Sequence, residues 1–288
     1  MKSLGVIANC NKAEAAHVLR RLSNKAKSLG MKLVTSGETA KILPKARVVP
    51  ATRLARSVDA IVALGGDGTL LHATRLIGAT DTPIVGVNLG NLGFLTSVTL
   101  ENLEQALEVI ARGNYHLSVR TVAVCNHFRG RRKLGSYRGL NDVVIGWGQS
   151  SRIITLDVAI NGEDLTSYRC DGLIVSTPTG STAHSLSAGG PILHPEAKDL
   201  LLNVICPHTL STRPLVVPDE SVIAITAGVT ADNLLLSVDG QEVSPVRQGD
   251  RLEISRSPHG VRFIHLPGYS YFQVLRTKLQ WRGSSTKP

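Results

Sequence analysis

The sequence predicts an α/β domain built on a parallel sheet, then a mainly-β, sandwich-like domain, with a final helix returning to the first. Three observations predict this. Up to residue 114, short apolar runs alternate with segments of helical period. From residue 115, long helices are absent and strand-type runs follow one another, with Asn161-Gly162 and Asp239-Gly240 as hairpin-turn dipeptides. Beyond that β region stands one amphipathic segment, 271–281, which buries itself most readily on the first domain. The domains are therefore 1–114 plus 267–288, and 115–266.

Residues 4–8 form a buried first strand, and 9–11 turn the chain. Residues 12–29 carry Ala15, Val18, Leu19, Leu22, Ala26 and Leu29 at helical spacing, with Lys and Arg opposite, and Gly30 ends the helix. Residues 31–35 make a second strand, and 38–43 a short helix stopped by Pro44. Residues 58–64 are a strand, 70–77 a helix, and Pro83 opens the strand 84–87. Residues 103–111 then make a helix with Leu103, Ala106, Leu107 and Ile110 on one face. This β-α-β-α alternation argues a Rossmann-like parallel sheet covered by helices. In the second part Tyr115, Leu117 and Val119 alternate. Residues 143–145, 153–160, 173–176, 222–226, 234–238, 252–254 and 261–264 are further strands. In the last helix Phe272, Leu275, Leu279 and Trp281 share a side, and 283–288 form a frayed tail.

A chain of 288 residues with 42% hydrophobic and 19% charged content is long enough for about two domains with real cores. Aromatics are scarce at 4%, so those cores must be built from Val, Ile, Leu and Ala. The net charge of +10 suits phosphorylated small molecules as well as nucleic acid. No Lys/Arg block with interleaved aromatics occurs, so neither a nucleic-acid nor a membrane partner is expected. Arg129, Arg131, Arg132, Lys133 and Arg138 are read as a solvated hairpin loop. Cys10, Cys125, Cys170 and Cys206 lack metal-ligand spacing and give no disulfide framework. His72, His127, His194 and His208 are irregularly spaced and read as surface or pocket histidines. The apolar run at 4–8 is too short for a signal peptide, and no run approaches a membrane span, so a cytoplasmic location is expected.

The stretch Gly65-Gly66-Asp67-Gly68-Thr69 joins a strand to a helix. Glycines let the backbone approach a ligand without a Cβ in the way, and a helix start offers unpaired N–H groups to phosphate. Asp67 needs a task in such a turn, either holding a metal or taking a proton. A second constellation lies downstream. Asn141-Asp142 heads a strand, and residues 171–190 form a strand followed by a loop with seven hydroxyls in the twelve residues 176–187. Hydroxyls donate and accept, which suits ribose and amide groups, so this loop is read as a ligand loop rather than a capping one. Val238-Asp239-Gly240-Gln241 alone reads as an ordinary hairpin turn.

Taken together, Gly65 to Thr69, the 88–96 stretch with Leu92-Gly93-Phe94-Leu95-Thr96, Asn141-Asp142, the 171–190 stretch and Arg213-Pro214-Leu215-Val216-Val217-Pro218 resemble the NAD kinase family over nearly the whole chain. The glycine turn also occurs in lipid kinases and phosphofructokinases; the 171–190 stretch separates NAD kinases from them. The resemblance implies transfer of a phosphoryl group, from ATP with Mg²⁺ or from polyphosphate, to the 2′-hydroxyl of the adenosine ribose of NAD. By the same resemblance Asp67 takes the hydroxyl proton or helps place the metal. Gly68 and His72 lie near the nucleotide, and Phe94 near the adenine. Asn141 and Asp142 hold adenosine ribose, and Arg152, Arg169 and Asp171 line the pocket. Thr182, Ala183, His184, Ser185, Leu186 and Ser187 wrap the dinucleotide, and Gln241 contacts it. No metal is fixed by the protein itself, and a homodimer or homotetramer is implied. Arg169 is associated with preference for NAD over NADH. Asp142 stands where Glu is commoner, and His184 where Tyr is.

Three rivals differ in class. A lipid or sugar kinase would share only the glycine turn, and a lipid kinase should carry an apolar patch or membrane-facing helix. A non-catalytic dinucleotide sensor could dispense with Asp67. A nucleic-acid binder is suggested by charge alone.

Overall fold

The computed structural model describes residues 1–90, 93–147, 153–228 and 234–281. Arg152 and the tail at 283–288 lie outside the described residues, as do Asn91 and Leu92 of the 88–96 stretch. The chain divides into two units, Met1–Ser118 with Val261–Pro288, and Val119–Gly260.

In the first unit the elements run β1 (Ser3–Ala8), α1 (Ala15–Ser28), β2 (Lys32–Thr35), α2 (Thr39–Ile42), β3 (Arg47–Val48), α3 (Ala51–Leu54), β4 (Ala60–Gly65), α4 (Asp67–Ile77), β5 (Ile84–Asn88), α5 (Leu103–Ala111) and β6 (His116–Arg120), whose end passes into the second unit. The pairs β3–β2, β2–β1, β1–β4 and β4–β5 are all parallel. β4 and β5 are buried throughout, as strands covered on both faces must be. Leu19 and Leu22 of α1 and Leu103, Leu107 and Ile110 of α5 form one core with Leu4, Val62 and Val85 of the sheet. Along the outside Arg21 holds Glu104, with Nη2 to Oε2 at 2.7 Å, and Lys25 pairs with Glu108. The order β3-β2-β1-β4-β5 reverses direction between β1 and β4. In an open parallel sheet, ligands bind beyond the strand C-termini at such a reversal, and the glycine turn leaves the C-terminus of β4 there.

In the second unit come β7 (Ala123–Arg129), β8 (Arg132–Gly139), β9 (Asp142–Trp147), β10 (Ile154–Ile160), β11 (Glu163–Cys170), β12 (Gly172–Ser176), a 3₁₀ turn at Thr179–Thr182, α6 (His184–Ser187), β13 (Asp199–Ile205), β14 (Leu215–Pro218), β15 (Ile223–Ala227), β16 (Leu234–Val238), β17 (Glu242–Val246) and β18 (Asp250–Arg256). They form two six-stranded sheets, β11-β10-β15-β18-β7-β8 and β14-β13-β12-β9-β16-β17. The pairings within them are antiparallel. Leu156, Val158, Ile225 and Ile254 of one sheet share a core with Val143, Ile145, Leu173 and Leu236 of the other, so the unit is a sandwich. Alternation explains it: Leu156 and Val158 are buried while Asp157 between them is exposed.

The chain returns to the first unit as β19 (Val261–His265) and α7 (Tyr271–Leu279). Here three expectations are corrected. Residues 261–264 were assigned by pattern to the β domain, but β19 pairs parallel with β5, Phe263 opposite Ile84. Residues 116–118 likewise belong to the first sheet, at its β6 edge. A strand's local pattern does not say which sheet it joins. In α7 the buried face is Val274 and Leu275, whereas Phe272 is 61% exposed and Trp281 55%. The strands β8, β11, β13, β14 and β17 were not marked in the sequence. Residues 129–138 are the end of β7, a two-residue turn at Gly130-Arg131 and most of β8, so only Arg131 of the basic cluster lies in a turn.

Two basic and histidine residues of that hairpin region are structural. His127 is wholly buried, with Nε2 at 2.9 Å from Asp250 Oδ2, so it is no surface or pocket histidine. Arg129 donates two hydrogen bonds to the same carboxylate, at 2.7 and 2.8 Å. Burial works to raise the Asp250 carboxyl, but the bonds from Arg129, the Arg247 N–H and His127 outweigh it and hold it well below the usual range. A depressed carboxyl stabilises the fold above its ordinary value near 3.8, and that stabilisation disappears as pH falls toward the lowered one. Asp250→Asn should therefore cost about 2 kcal/mol near neutral pH, discounted because Arg129 is half exposed. Urea denaturation should show the wild-type advantage vanishing in acid; an advantage independent of pH would contradict the assignment.

Candidate active site

Each unit gathers part of the predicted residues. In the first, Gly66 caps α4 and Asp67 is the first helical residue, so the helix begins three residues earlier than its apolar period showed. The carboxylate of Asp67 does not turn onto its own helix. Its Oδ2 accepts the Phe94 N–H at 2.9 Å and its Oδ1 accepts the Leu95 N–H at 3.1 Å. Gly93 N–H in turn donates to Thr96 Oγ1 at 3.0 Å. Two backbone amides thus fix the orientation of a carboxylate that has about four acceptor sites. A Cβ at 93 would stand 1.9 Å from Asp67 Oδ1, so a larger residue there would push the carboxylate out of this position. The Phe94 ring lies under Lys278 Nζ, 5.6 Å from its centroid, a cation–π contact from α7. Gly68 and His72 are exposed along α4, and His72 Nδ1 is 3.4 Å from Arg75 Nη2.

In the second unit the focus is the turn 140–142. Asp142 is wholly buried, and neither of its carboxylate oxygens has a hydrogen-bond partner among the described residues; nor has the buried Asn141 Oδ1. The exposed ring of His184 has its Nδ1 3.5 Å from Asp142 Oδ2 and pairs with it when protonated. Asp142 holds the His184 imidazole above its ordinary pKa, against a smaller opposing effect of burial. Unbonded acceptors in a buried position cost free energy unless a donor arrives, so they point to a hydroxyl-bearing ligand.

The hydroxyl-rich loop is tied to the 140–142 turn by its own side chains. Thr177 Oγ1 donates to Leu140 O, Ser176 Oγ to Thr177 O and Ser181 Oγ to Pro178 O. Ser185 is wholly buried, and Asn203 Nδ2 donates to its carbonyl and its hydroxyl. Several of these hydroxyls bond the loop itself and the 140–142 turn. Gly180 permits the close approach: a Cβ there would meet Asn141 O at 1.9 Å. Thr182, Ala183 and Leu186 are partly exposed, and His184 and Ser187 are exposed. Gln241 is exposed on the hairpin whose Gly240 lies beside the His184 ring. Arg169 is exposed on β11 and its carbonyl accepts the His208 N–H; Asp171 raises the neighbouring Cys206 thiol through hydrogen bonding and charge.

Two residues were missed. Asn203 gave no signal in an apolar run, and Asp239 reads as a turn residue, yet its buried carboxylate bonds three amides of the 140–142 turn. Among the described residues no group of three or more His, Cys, Asp or Glu could hold a metal, and no helix is long and apolar enough to cross a membrane. The buried thiols of Cys125 and Cys170 are pushed up to about 12 by burial, which leaves them inert at neutral pH.

Family models described as the ATP-NAD kinase N-terminal and C-terminal domains match residues 4–115 and 140–266. The chain belongs to the NAD kinase family. A curated NAD kinase of Geotalea daltonii is 38% identical over 98% of this chain and 99% of its own length. One from Citrifermentans bemidjiense is 46% identical over 80% of each. Among solved structures, yeast NADH kinase complexed with NADH covers 100% of this chain and 89% of its own, at 25% identity and TM-score 0.90. An NAD kinase from Archaeoglobus fulgidus in complex with ATP shares the fold, with TM-score 0.77 at 24% identity over 98% of this chain.

The packing of Gly93 on Asp67 is testable by itself. Gly93→Ala should displace the carboxylate from its two amides and lower stability by about 1–3 kcal/mol. An unchanged thermal midpoint would show that the contact is slack.

Proposed function

We propose that this protein is an NAD kinase, transferring the terminal phosphoryl group of ATP to the 2′-hydroxyl of the adenosine ribose of NAD to give NADP and ADP. The observation that carries the proposal is the trio of buried oxygens on Asn141 and Asp142 that accept no hydrogen bond from the described residues, with the His184 ring 3.5 Å from Asp142 Oδ2, an arrangement that a ribose diol completes. Family membership and the full-length curated relatives support the same reaction.

In the reaction a bond forms between the 2′-oxygen and the γ-phosphorus, the bond from that phosphorus to the β–γ bridging oxygen breaks, and ADP leaves. Asp67 accepts the hydroxyl proton. The amides of Phe94 and Leu95 fix its oxygens and leave lone pairs for that task. The start of α4 and Gly68 serve the donor phosphates through backbone N–H groups, with His72 nearby and Phe94 near adenine. Arg152, Arg169, Asp171, Thr182, Ala183, Leu186, Ser187 and Gln241 line the dinucleotide site, and buried Ser185 shapes its loop. Mg²⁺ bound to the donor would neutralise phosphate charge, and no group of the described residues is assigned to hold it. We further assign a cytoplasmic homodimer or homotetramer, on the family resemblance; a monomeric mass in light scattering would contradict the oligomer.

Purified protein given NAD and Mg²⁺ with either ATP or polyphosphate as phosphoryl donor should form NADP. Asp67→Asn should lower kcat by roughly 100-fold or more with little change in the thermal midpoint. NADP formation by that variant at the wild-type rate would remove Asp67 from the chemistry.

His184 supplies a pH signature. Its raised pKa means that the pairing with Asp142 is complete below about 6.5 and is lost as pH rises through the folded-state value. Above it, a bare carboxylate remains beside an anionic dinucleotide. The KM for NAD should therefore rise several-fold between about pH 6 and 8, and His184→Phe should flatten the profile. A flat wild-type profile would rule the pairing out as a determinant of affinity.

A further inference from the structure

We infer that Asp239 is a positioning residue for NAD binding: its buried carboxylate gathers the three backbone amides of the 140–142 turn and so presents the Asn141 and Asp142 side chains to the ribose. Asp239 Oδ2 accepts the Leu140 N–H at 2.9 Å, and Oδ1 accepts the Asn141 and Asp142 N–H groups at 2.7 and 3.2 Å. The Asp239 N–H returns a bond to Asp142 O at 3.0 Å. From the other side Thr177 bonds the remaining carbonyls, Oγ1 to Leu140 O and N–H to Asn141 O. Every amide and every carbonyl of the turn are thereby engaged within the protein. What stays unbonded is the side-chain oxygens of Asn141 and Asp142, the atoms assigned to ribose.

A hairpin turn does not need this arrangement, and the same unit provides the comparison. Asn161-Gly162 turns a hairpin with φ of 54° and 84°, and Asp239-Gly240 with 53° and 65°. Asn161 Oδ1 accepts a single bond, from the Val222 N–H at the neighbouring strand, and gathers no group of amides. Asn would satisfy the backbone at 239 equally well, since both residues tolerate the left-handed region. Three converging N–H donors, however, require an acceptor on both oxygens, which a carboxylate has and an amide lacks. Placing a second carboxylate near that of Asp142 is unfavourable: burial raises the Asp239 carboxyl, the three amides oppose this, and the Asp142 charge adds to it. An acid kept in so costly a position serves the turn it holds.

This inference rests on the ribose-holding role proposed for Asn141 and Asp142, and the test separates the two. In Asp239→Asn the amide nitrogen meets a backbone donor, so the turn loosens without loss of side-chain volume. The KM for NAD should rise roughly tenfold or more while kcat at saturating NAD and the KM for ATP change less than threefold. Amide hydrogen exchange at residues 140–142 should quicken. Asn161→Ala controls for a weakened hairpin turn and should leave the KM for NAD unchanged. Equal effects of Asp239→Asn and Asn161→Ala on that KM, or unchanged exchange at 140–142, would overturn the role of Asp239 while leaving the ribose assignment standing. An unchanged KM in Asn141→Ala and Asp142→Asn would overturn both.

Discussion

A carboxylate in each unit holds the backbone of a different segment, and the candidate residues of each unit depend on that contact. Asp67, at the head of α4, accepts the amides of residues 94 and 95. Asp239, at the tip of a hairpin, accepts those of 140, 141 and 142. Charged acceptors make stronger hydrogen bonds with N–H groups than neutral ones do, and they order loops that otherwise carry unsatisfied backbone. The chemistry that the two turns offer differs. The first presents a carboxylate with acceptor capacity to spare; the second presents side-chain oxygens that the protein leaves unbonded.

The scaffold places these turns by simple means. A parallel sheet reverses its strand order beside the C-terminus of β4, where the glycine turn emerges. The sandwich fills its interior with branched aliphatic residues, as a chain with 4% aromatics must. Close backbone approaches complete the arrangement: Gly93 lets a loop lie on Asp67, and Gly180 lets another lie on Asn141. In the sandwich unit the buried carboxylate of Asp250 is satisfied by an arginine, a histidine and a backbone amide that converge on it.

The α/β alternation, the change near residue 115 and the glycine turn were legible because each is a local pattern. The partner of a strand is not local, so 261–264 was placed with the wrong sheet, and edge strands rich in charge, such as β11, carried no apolar alternation to mark them. The hydroxyls of 176–187 were legible as unusual but not as structural, since the carbonyls they bond belong partly to residues some 35 positions earlier. Asp239 illustrates the limit most clearly. Its sequence context is that of any Asp-Gly turn, and its role exists only through three amides almost a hundred residues away.

The central claim is that Asn141 and Asp142 leave their oxygens for the hydroxyls of the adenosine ribose. Calorimetric titration with NAD and with an analogue lacking both of those hydroxyls tests it directly. A site built to bond hydroxyls should bind the analogue at least about tenfold more weakly, and Asp142→Asn should narrow that difference. Equal affinity of the wild-type protein for the two ligands would contradict the account.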